Sequence, residues 1–184
     1  MQLKATDLIF NLIDLTNHHI IIAEKLKTKS DITLNWKAHR ESWSVLECLE
    51  HLNLYGHFYI PTIKSAIMKS NTTREEMFKS GILGNYIAES MLPNSKINKM
   101  KTFKDKNPIN SDLDKKIIDQ FIAQQMQLIH LLEQSKKISL NKTKTKISIS
   151  KWIKLKLGDT FRFVINHNIR HFKQIERIFA QLEN

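Results

Sequence analysis

Asp159-Thr160-Phe161-Arg162-Phe163-Val164-Ile165-Asn166-His167-Asn168-Ile169-Arg170-His171-Phe172-Lys173-Gln174-Ile175-Glu176-Arg177-Ile178-Phe179 is the stretch on which the reading of the whole chain turns. It contains neither Pro nor Gly and reads as one amphipathic helix. Thr160, Val164, His167, His171, Ile175, Ile178 and Leu182 recur at steps of three or four, which places them on one face. His167 and His171 therefore lie one turn apart on the stripe expected to face the core. Residues at that spacing have Cβ atoms about 5–6 Å apart, close enough for two imidazoles to hold one metal ion. Two neighbouring histidines satisfied by core hydrogen bonds would show the same spacing, and H-x-x-x-H without flanking chemistry is a weak motif. A metal reading therefore needs a third ligand from elsewhere in the chain.

Length and composition set the frame for that search. A chain of 184 residues suits one domain, 1–184, large enough to bury a real core. Four Gly and three Pro leave long helices with few interruptions. A single cysteine excludes an internal disulfide framework and fits a reducing compartment, so a cytoplasmic location is expected. The N-terminus lacks the charged and apolar regions of a signal peptide, and the apolar run at residues 20–23 is too short to span a bilayer. The net charge of +11 would suit nucleic acid, a membrane surface or an anionic small molecule. The lysines are spread over loops and helix faces, however, without the interleaved aromatics of a single-strand platform, which argues against nucleic acid.

Taken in order, residues 3–29 read as a first helix with Leu8, Leu12, Leu15, His19, Ile22 and Leu26 on its stripe. His19, or His18 beside it, could be a further ligand, although a structural histidine is the simpler expectation. Trp36 is expected to pack over a bundle end. Ser44 and Glu47 form a capping-box pattern that opens a second helix, residues 44–69. Pro61 should kink or break it. His51 points inward on this helix with Cys48, Tyr55 and Phe58. Glu47 could support His51 but reads first as a cap. Cys48 reads as a small buried hydrophobe, and His57 lies round the helix from His51 and reads as a surface or structural residue. Residues 71–110 form a long crossover, with a short helix capped by Thr72 or Thr73 and interrupted at Gly81 and Gly84, and a turn or two near residues 85–92. A connection of this length is usually functional. Ser111 is expected to cap a third long helix to residue 136, with Leu113, Ile117, Phe121, Gln124, Leu128 and Leu131 inward and His130 exposed. Ile147 and Ile149 alternate with serines as in an extended edge, too short to predict a sheet.

Four long helices, a histidine on the second and H-x-x-x-H on the fourth now coincide. With Trp43-Ser44-Val45-Leu46-Glu47, His51-Leu52, Ser80-Gly81-Ile82-Leu83-Gly84-Asn85-Tyr86, Lys156-Leu157-Gly158-Asp159-Thr160-Phe161-Arg162 and His167-Asn168-Ile169-Arg170-His171-Phe172-Lys173-Gln174, in that order, residues 43–181 resemble the DinB-like superfamily. The resemblance implies an all-α four-helix bundle with long crossover connections and a divalent metal, Zn or Ni foremost, held by His51, His167 and His171. Characterised members of the family include thiol-dependent transferases and an isomerase that use thiols such as bacillithiol or mycothiol.

Three neutral imidazoles leave open coordination positions, the mark of a catalytic site. A metal there lowers the pKa of bound water to about 7 or deprotonates a thiol outright. The expectation is therefore a metal-dependent enzyme, a bacillithiol-type thiol transferase or a hydrolase. A small-molecule substrate and a low-molecular-weight thiol are its partners, and a homodimer is the candidate assembly. The rivals are a non-catalytic, metal-binding or stress-related bundle protein and a basic nucleic-acid binder. Lys96, Lys99, Lys101, Lys104 and Lys106 on the crossover could attract an anion, though a solvated loop explains them too. Arg170 could meet a substrate carboxylate, and a surface ion pair is its simpler role. Because histidine ligates as the neutral ring, any stability that a metal adds is expected to fade below the ordinary imidazole pKa of about 6.5.

Overall fold

The periodic stripes become helices, and the segments between them supply small ladders. In a computed structural model, which describes residues 1–93 and 102–183, the order among the described residues is β1 (Gln2–Lys4), α1 (Ala5–Leu26), α2 (Asp31–Asn35), α3 (Val45–Met68), β2 (Met77–Lys79), α4 (Ile82–Ser90), a 3-10 turn (Lys104–Lys106), α5 (Lys116–Ser135), β3 (Lys144–Ile147), β4 (Ser150–Lys156) and α6 (Leu157–Leu182). The protein is predominantly helical. The long helices α3 and α1 each pack against both α5 and α6, and α4 lies on α6. The apolar core has two parts. One gathers Leu8, Leu12, Tyr59, Ile63, Leu128 and Phe161; the other gathers Leu46, Leu49, Phe121, Phe172 and Ile175.

The start of α3 follows the expected capping box. The Ser44 hydroxyl accepts from the Glu47 N–H at 3.1 Å, and the Glu47 carboxylate accepts from the Ser44 N–H at 2.8 Å. The helix runs through Pro61 without a break. The proline removes a donor there, and the Thr62 hydroxyl donates to the Phe58 carbonyl at 2.7 Å. Trp36 is half-buried against the second core cluster.

Several expected boundaries shift, each for a visible reason. Residues 71–76 are not helical. Thr72, expected as a cap, instead accepts from the Ser139 N–H at 3.0 Å, and Glu75 holds the Asn141 amide at 3.2 Å. Side-chain bonds to another loop thus replace the helix, and β2 then pairs antiparallel with β1, Leu3 opposite Phe78. Gly81 does not interrupt a helix but stands before α4, and Gly84 lies inside it. Ser111 turns back, its N–H donating to the Pro108 carbonyl, and α5 begins later, where the Asp114 carboxylate accepts from the Lys116 N–H at 2.8 Å. The alternating segment near Ile147 does form a ladder. β3 and β4 pair antiparallel with Thr145 opposite Leu155, and a register shift beyond Lys146 brings Ile147 opposite Ser150.

The largest departure concerns α6. Its stripe is buried as expected from Thr160 to Ile178, with Leu182 exposed at the end, but every residue from 157 to 168 is buried. The first half of the helix is enclosed because α4 and the β3–β4 ladder cover the face that periodicity would leave to solvent. Asp159 makes this cover adhere. Fully buried, its carboxylate accepts from the Gly81 N–H at 2.9 Å and from the Ser80 hydroxyl, while Arg162 donates to Ser80 at 2.8 Å and to Asn85 at 2.9 Å. A Cβ added at Gly84 would lie 2.3 Å from Asp159 Oδ2, so only glycine lets α4 approach this closely.

Candidate metal centre

Between the capped start of α3 and the enclosed first half of α6, three imidazoles meet. His51 Nε2 lies 3.1 Å from His167 Nε2, and His171 Nε2 lies 3.1 Å from the same atom. All three rings are buried, and their ligating nitrogens fall within 4.8 Å of one another. With metal–nitrogen bonds of about 2.0–2.1 Å, two nitrogens on one ion stand about 3.0 Å apart at a right angle and about 3.4 Å apart in a tetrahedron. The two separations of 3.1 Å to His167 Nε2 fit that range.

The hydrogen bonds at the far sides of the rings decide which way the lone pairs point. The Lys106 carbonyl, which only accepts, lies 2.6 Å from His51 Nδ1, and Gln174 Oε1 lies 3.0 Å from His171 Nδ1. Both rings therefore donate outward from Nδ1, which leaves Nε2 of each neutral ring as a bare acceptor directed at the shared space. A proton on His167 Nε2 could serve only one of them. The trio thus lacks the donors to satisfy itself, and a cation satisfies all three at once.

Burial keeps these rings neutral. It lowers the His51 pKa from 6.5 to about 4, with the Lys106 charge adding to the effect against the opposing hydrogen bond to the Lys106 carbonyl. His167 and His171 are held well below 6.5, first by burial and then by neighbouring histidines and the Arg170 charge. The proton competition expected near pH 6.5 therefore moves to more acidic pH in the folded protein. Among the described residues the group contains no carboxylate.

Aromatic rings wall the centre. Trp43 stacks on His171 at 5.7 Å between centroids, Phe163 stacks on His167 at 5.9 Å, and Tyr55 meets His167 edge-on at 4.7 Å. Burial, with smaller effects from Tyr59 and Asp105, pushes the Tyr55 hydroxyl up to about 12, so it stays protonated at neutral pH. Next to His167 lies a cavity of about 10 Å³, bounded in part by Tyr55, Gly56, Gln124 and Asn168, with room for a single water. Gln124 Oε1 is a buried acceptor with no protein partner among the described residues.

The other residues singled out in the sequence fall elsewhere. His19 is buried on α1 and stacks on Phe172 at 4.8 Å, outside the three-histidine group, and His18 is exposed. Glu47 caps α3. Cys48 is fully buried, and burial raises its thiol pKa. His57 and His130 are exposed, bonded to Gln120 and Gln134. Lys96, Lys99 and Lys101 lie outside the described residues. Lys104 is exposed, and Lys106 sits by the site with its ammonium 3.3 Å from Asp105. Arg170 is half-buried, and its charge is felt by both His167 and His171.

Sequence reasoning missed the hydrogen-bond partners of these histidines. Gln174, one turn beyond His171, could have been found from its spacing. The Lys106 carbonyl could not, because a backbone acceptor leaves no trace in residue type. Among the described residues no helix is long and apolar enough to cross a membrane. A family model described as the DinB superfamily matches residues 22–175, a span that includes all three histidines. No curated protein and no solved structure matches the chain.

Proposed function

The chain belongs to the DinB superfamily, and on that premise we propose that it is a metal-dependent enzyme acting on a small molecule, a thiol transferase or a hydrolase, with His51, His167 and His171 as the metal ligands. The observation that carries this reading is the convergence of three buried Nε2 atoms, where the rings of His51 and His171 already donate their Nδ1 protons elsewhere. The four long helices support a single bundle domain over 1–184, with α3 and α6 supplying the ligands. When bound, a divalent metal supplies Lewis acidity that lets a thiol or a water give up its proton near neutral pH.

The chain's own residues do the rest. The three imidazoles orient the centre and bring no negative charge, and the Lys106 and Arg170 side chains add positive charge nearby. Such a centre favours a partner that arrives as an anion or becomes one on binding. Trp43, Tyr55 and Phe163 exclude water around it, which strengthens that attraction. The Tyr55 hydroxyl stays protonated at neutral pH and so remains a hydrogen-bond donor. A protein nucleophile is not required, and Cys48 is too buried to serve as one.

The test is metal analysis of protein purified without a histidine tag, followed by a panel of low-molecular-weight thiols with electrophilic acceptors and of hydrolysable esters and amides. One equivalent of divalent metal, lost in His51→Ala, His167→Ala or His171→Ala together with turnover, is expected. Turnover that persists in His167→Ala refutes the assignment, and stoichiometric metal without turnover favours a non-catalytic metal-binding protein.

A further inference from the structure

The crossover is tied to α3 at two points one helical turn apart. The Lys106 carbonyl accepts the His51 Nδ1 proton at 2.6 Å, and four residues later the Asn110 N–H donates to Glu47 Oε1 at 2.5 Å. Glu47 and His51 stand at i and i+4 on α3, so both contacts fall on one face of the helix. The Glu47 carboxylate, 3 % exposed, gathers donors from three separate segments. Its Oε2 completes the cap on Ser44, whereas its Oε1 takes the Asn110 N–H and, at 2.9 Å, Lys37 Nζ. Lys37 Nζ also donates to Asn110 Oδ1 at 3.0 Å. Asn110 itself sits at φ 60°, in the left-handed region that asparagine tolerates better than most residues. A helix cap needs only the Oε2 contact. The second oxygen, the ammonium of Lys37 and the left-handed Asn110 all serve the crossover.

We propose that Glu47, Lys37 and Asn110 are positioning residues for the metal centre: they hold the strap of residues 106–110 so that the Lys106 carbonyl fixes the His51 tautomer, and metal binding and strap order are thereby coupled. The proposal rests on the metal reading above. A backbone carbonyl orients a ring only if its own segment is fixed, and this segment carries a single 3-10 turn and no ladder. With the latch released, His51 is free to place a proton on Nε2, where it would oppose a cation. Loss of such a supporting hydrogen bond typically costs about 10–100-fold in metal affinity.

The experiment uses the full chain and zinc as the probe. Zinc dissociation constants are measured by competition with a chromogenic chelator, and hydrogen exchange is followed at residues 103–111 with and without zinc. Glu47→Gln keeps an acceptor for the cap but loses the charge that holds Lys37 and opposes Asn110 with an amide. Asn110→Ala keeps the N–H that reaches Glu47 but removes the Oδ1 that holds Lys37 and strains the left-handed backbone, so it loosens the strap from the other side without touching α3. Ser44→Ala weakens the cap and leaves the strap intact. Glu47→Gln and Asn110→Ala are expected to weaken zinc binding about 10–100-fold, while Ser44→Ala lowers the melting temperature with affinity within about twofold of wild type. Zinc should slow exchange in the strap of wild type more than in Glu47→Gln, since coupling between two sites is reciprocal. Dissociation constants within twofold of wild type for both strap variants, or equal zinc protection in wild type and Glu47→Gln, overturn the latch while leaving the metal centre intact. A wild-type protein that takes up no zinc or other divalent metal overturns both. If Glu47→Gln does not fold, Asn110→Ala alone decides.

Discussion

Acid should unfold the metal-free protein well before its carboxylates are titrated, and His19 allows the effect to be isolated. This ring is buried on α1, stacked on Phe172, and its Nδ1 has no protein partner among the described residues. Burial first, and then the neighbouring His18, lowers its pKa from 6.5 to about 4. The sign follows from linkage. At pH 8 the ring is neutral in both states and contributes no pH dependence. As pH falls below 6.5 the unfolded chain takes a proton that the folded chain refuses, so stability present above 6.5 drains away until about pH 4. For one such ring the loss is about 2 kcal/mol at pH 5 and about 3 kcal/mol at pH 4. His51, lowered to about 4 by the same cause, loses a like amount in the apoprotein, and His167 and His171 act in the same direction. Against a total stability of about 5–15 kcal/mol, these losses are decisive. Urea unfolding of the apoprotein at pH 8, 7, 6 and 5 should show a steep decline below pH 6.5. His19→Leu removes the proton acceptor and the orphaned nitrogen together, so it should match or exceed wild type at pH 8 and should retain about 2 kcal/mol more than wild type at pH 5. A variant whose stability falls between pH 7 and pH 5 as steeply as wild type would refute the argument that burial holds His19 neutral.

Zinc at 100 times its dissociation constant should stabilise wild type by about 2.7 kcal/mol, read as a higher melting temperature, and should stabilise His51→Ala, His167→Ala or His171→Ala by much less; equal shifts would remove these residues as ligands. Cys48→Ala should lower stability by about 1 kcal/mol through a small cavity while leaving metal content unchanged, and the native thiol should resist aromatic disulfide reagents until the protein unfolds. Gly84→Ala, although alanine favours helix, should lower stability by about 2 kcal/mol or more by overpacking, because its Cβ would meet the Asp159 carboxylate at 2.3 Å; a neutral result in chemical denaturation would mean that the α4–α6 contact is looser than described.

The helices were legible because few residues compete with periodicity. Most of the stripes of α1, α3 and α6 is buried, with Leu15, Ile22, Tyr55 and Phe58 half-buried and Leu182 exposed, and the Ser44–Glu47 box starts α3 in its place. The errors share one cause, which is that contacts outside the helical pattern outbid a local signal. Thr72 and Glu75 have the pattern of a helix cap, but Ser139 and Asn141 take their bonds instead. Ser111 could cap α5, but its own N–H is drawn to the Pro108 carbonyl. The short alternation around Ile147 gained a partner in β4 that hydropathy alone could not supply. Gly81 and Gly84 read as breakers, yet Gly84 lies within α4 because a buried aspartate from α6 needs the space.

The candidate centre was legible for a different reason. Its three histidines sit on regular helices, so their spacing survives in the sequence, and the i, i+4 pair on α6 needs only one more imidazole from a neighbouring helix. What was not legible is the layer that makes the rings competent. Lys106 acts through its carbonyl, and Asn110 acts through its N–H and its left-handed backbone. A backbone carbonyl and a backbone N–H do not depend on side-chain type, and both come from a connection whose path periodicity does not predict. Glu47 illustrates the point, since its sequence signature accounts for one carboxylate oxygen and the fold reveals the use of the other. A search for such centres in sequence can therefore find the ligands, but the groups that set their tautomers must be sought in the loops that lie across them.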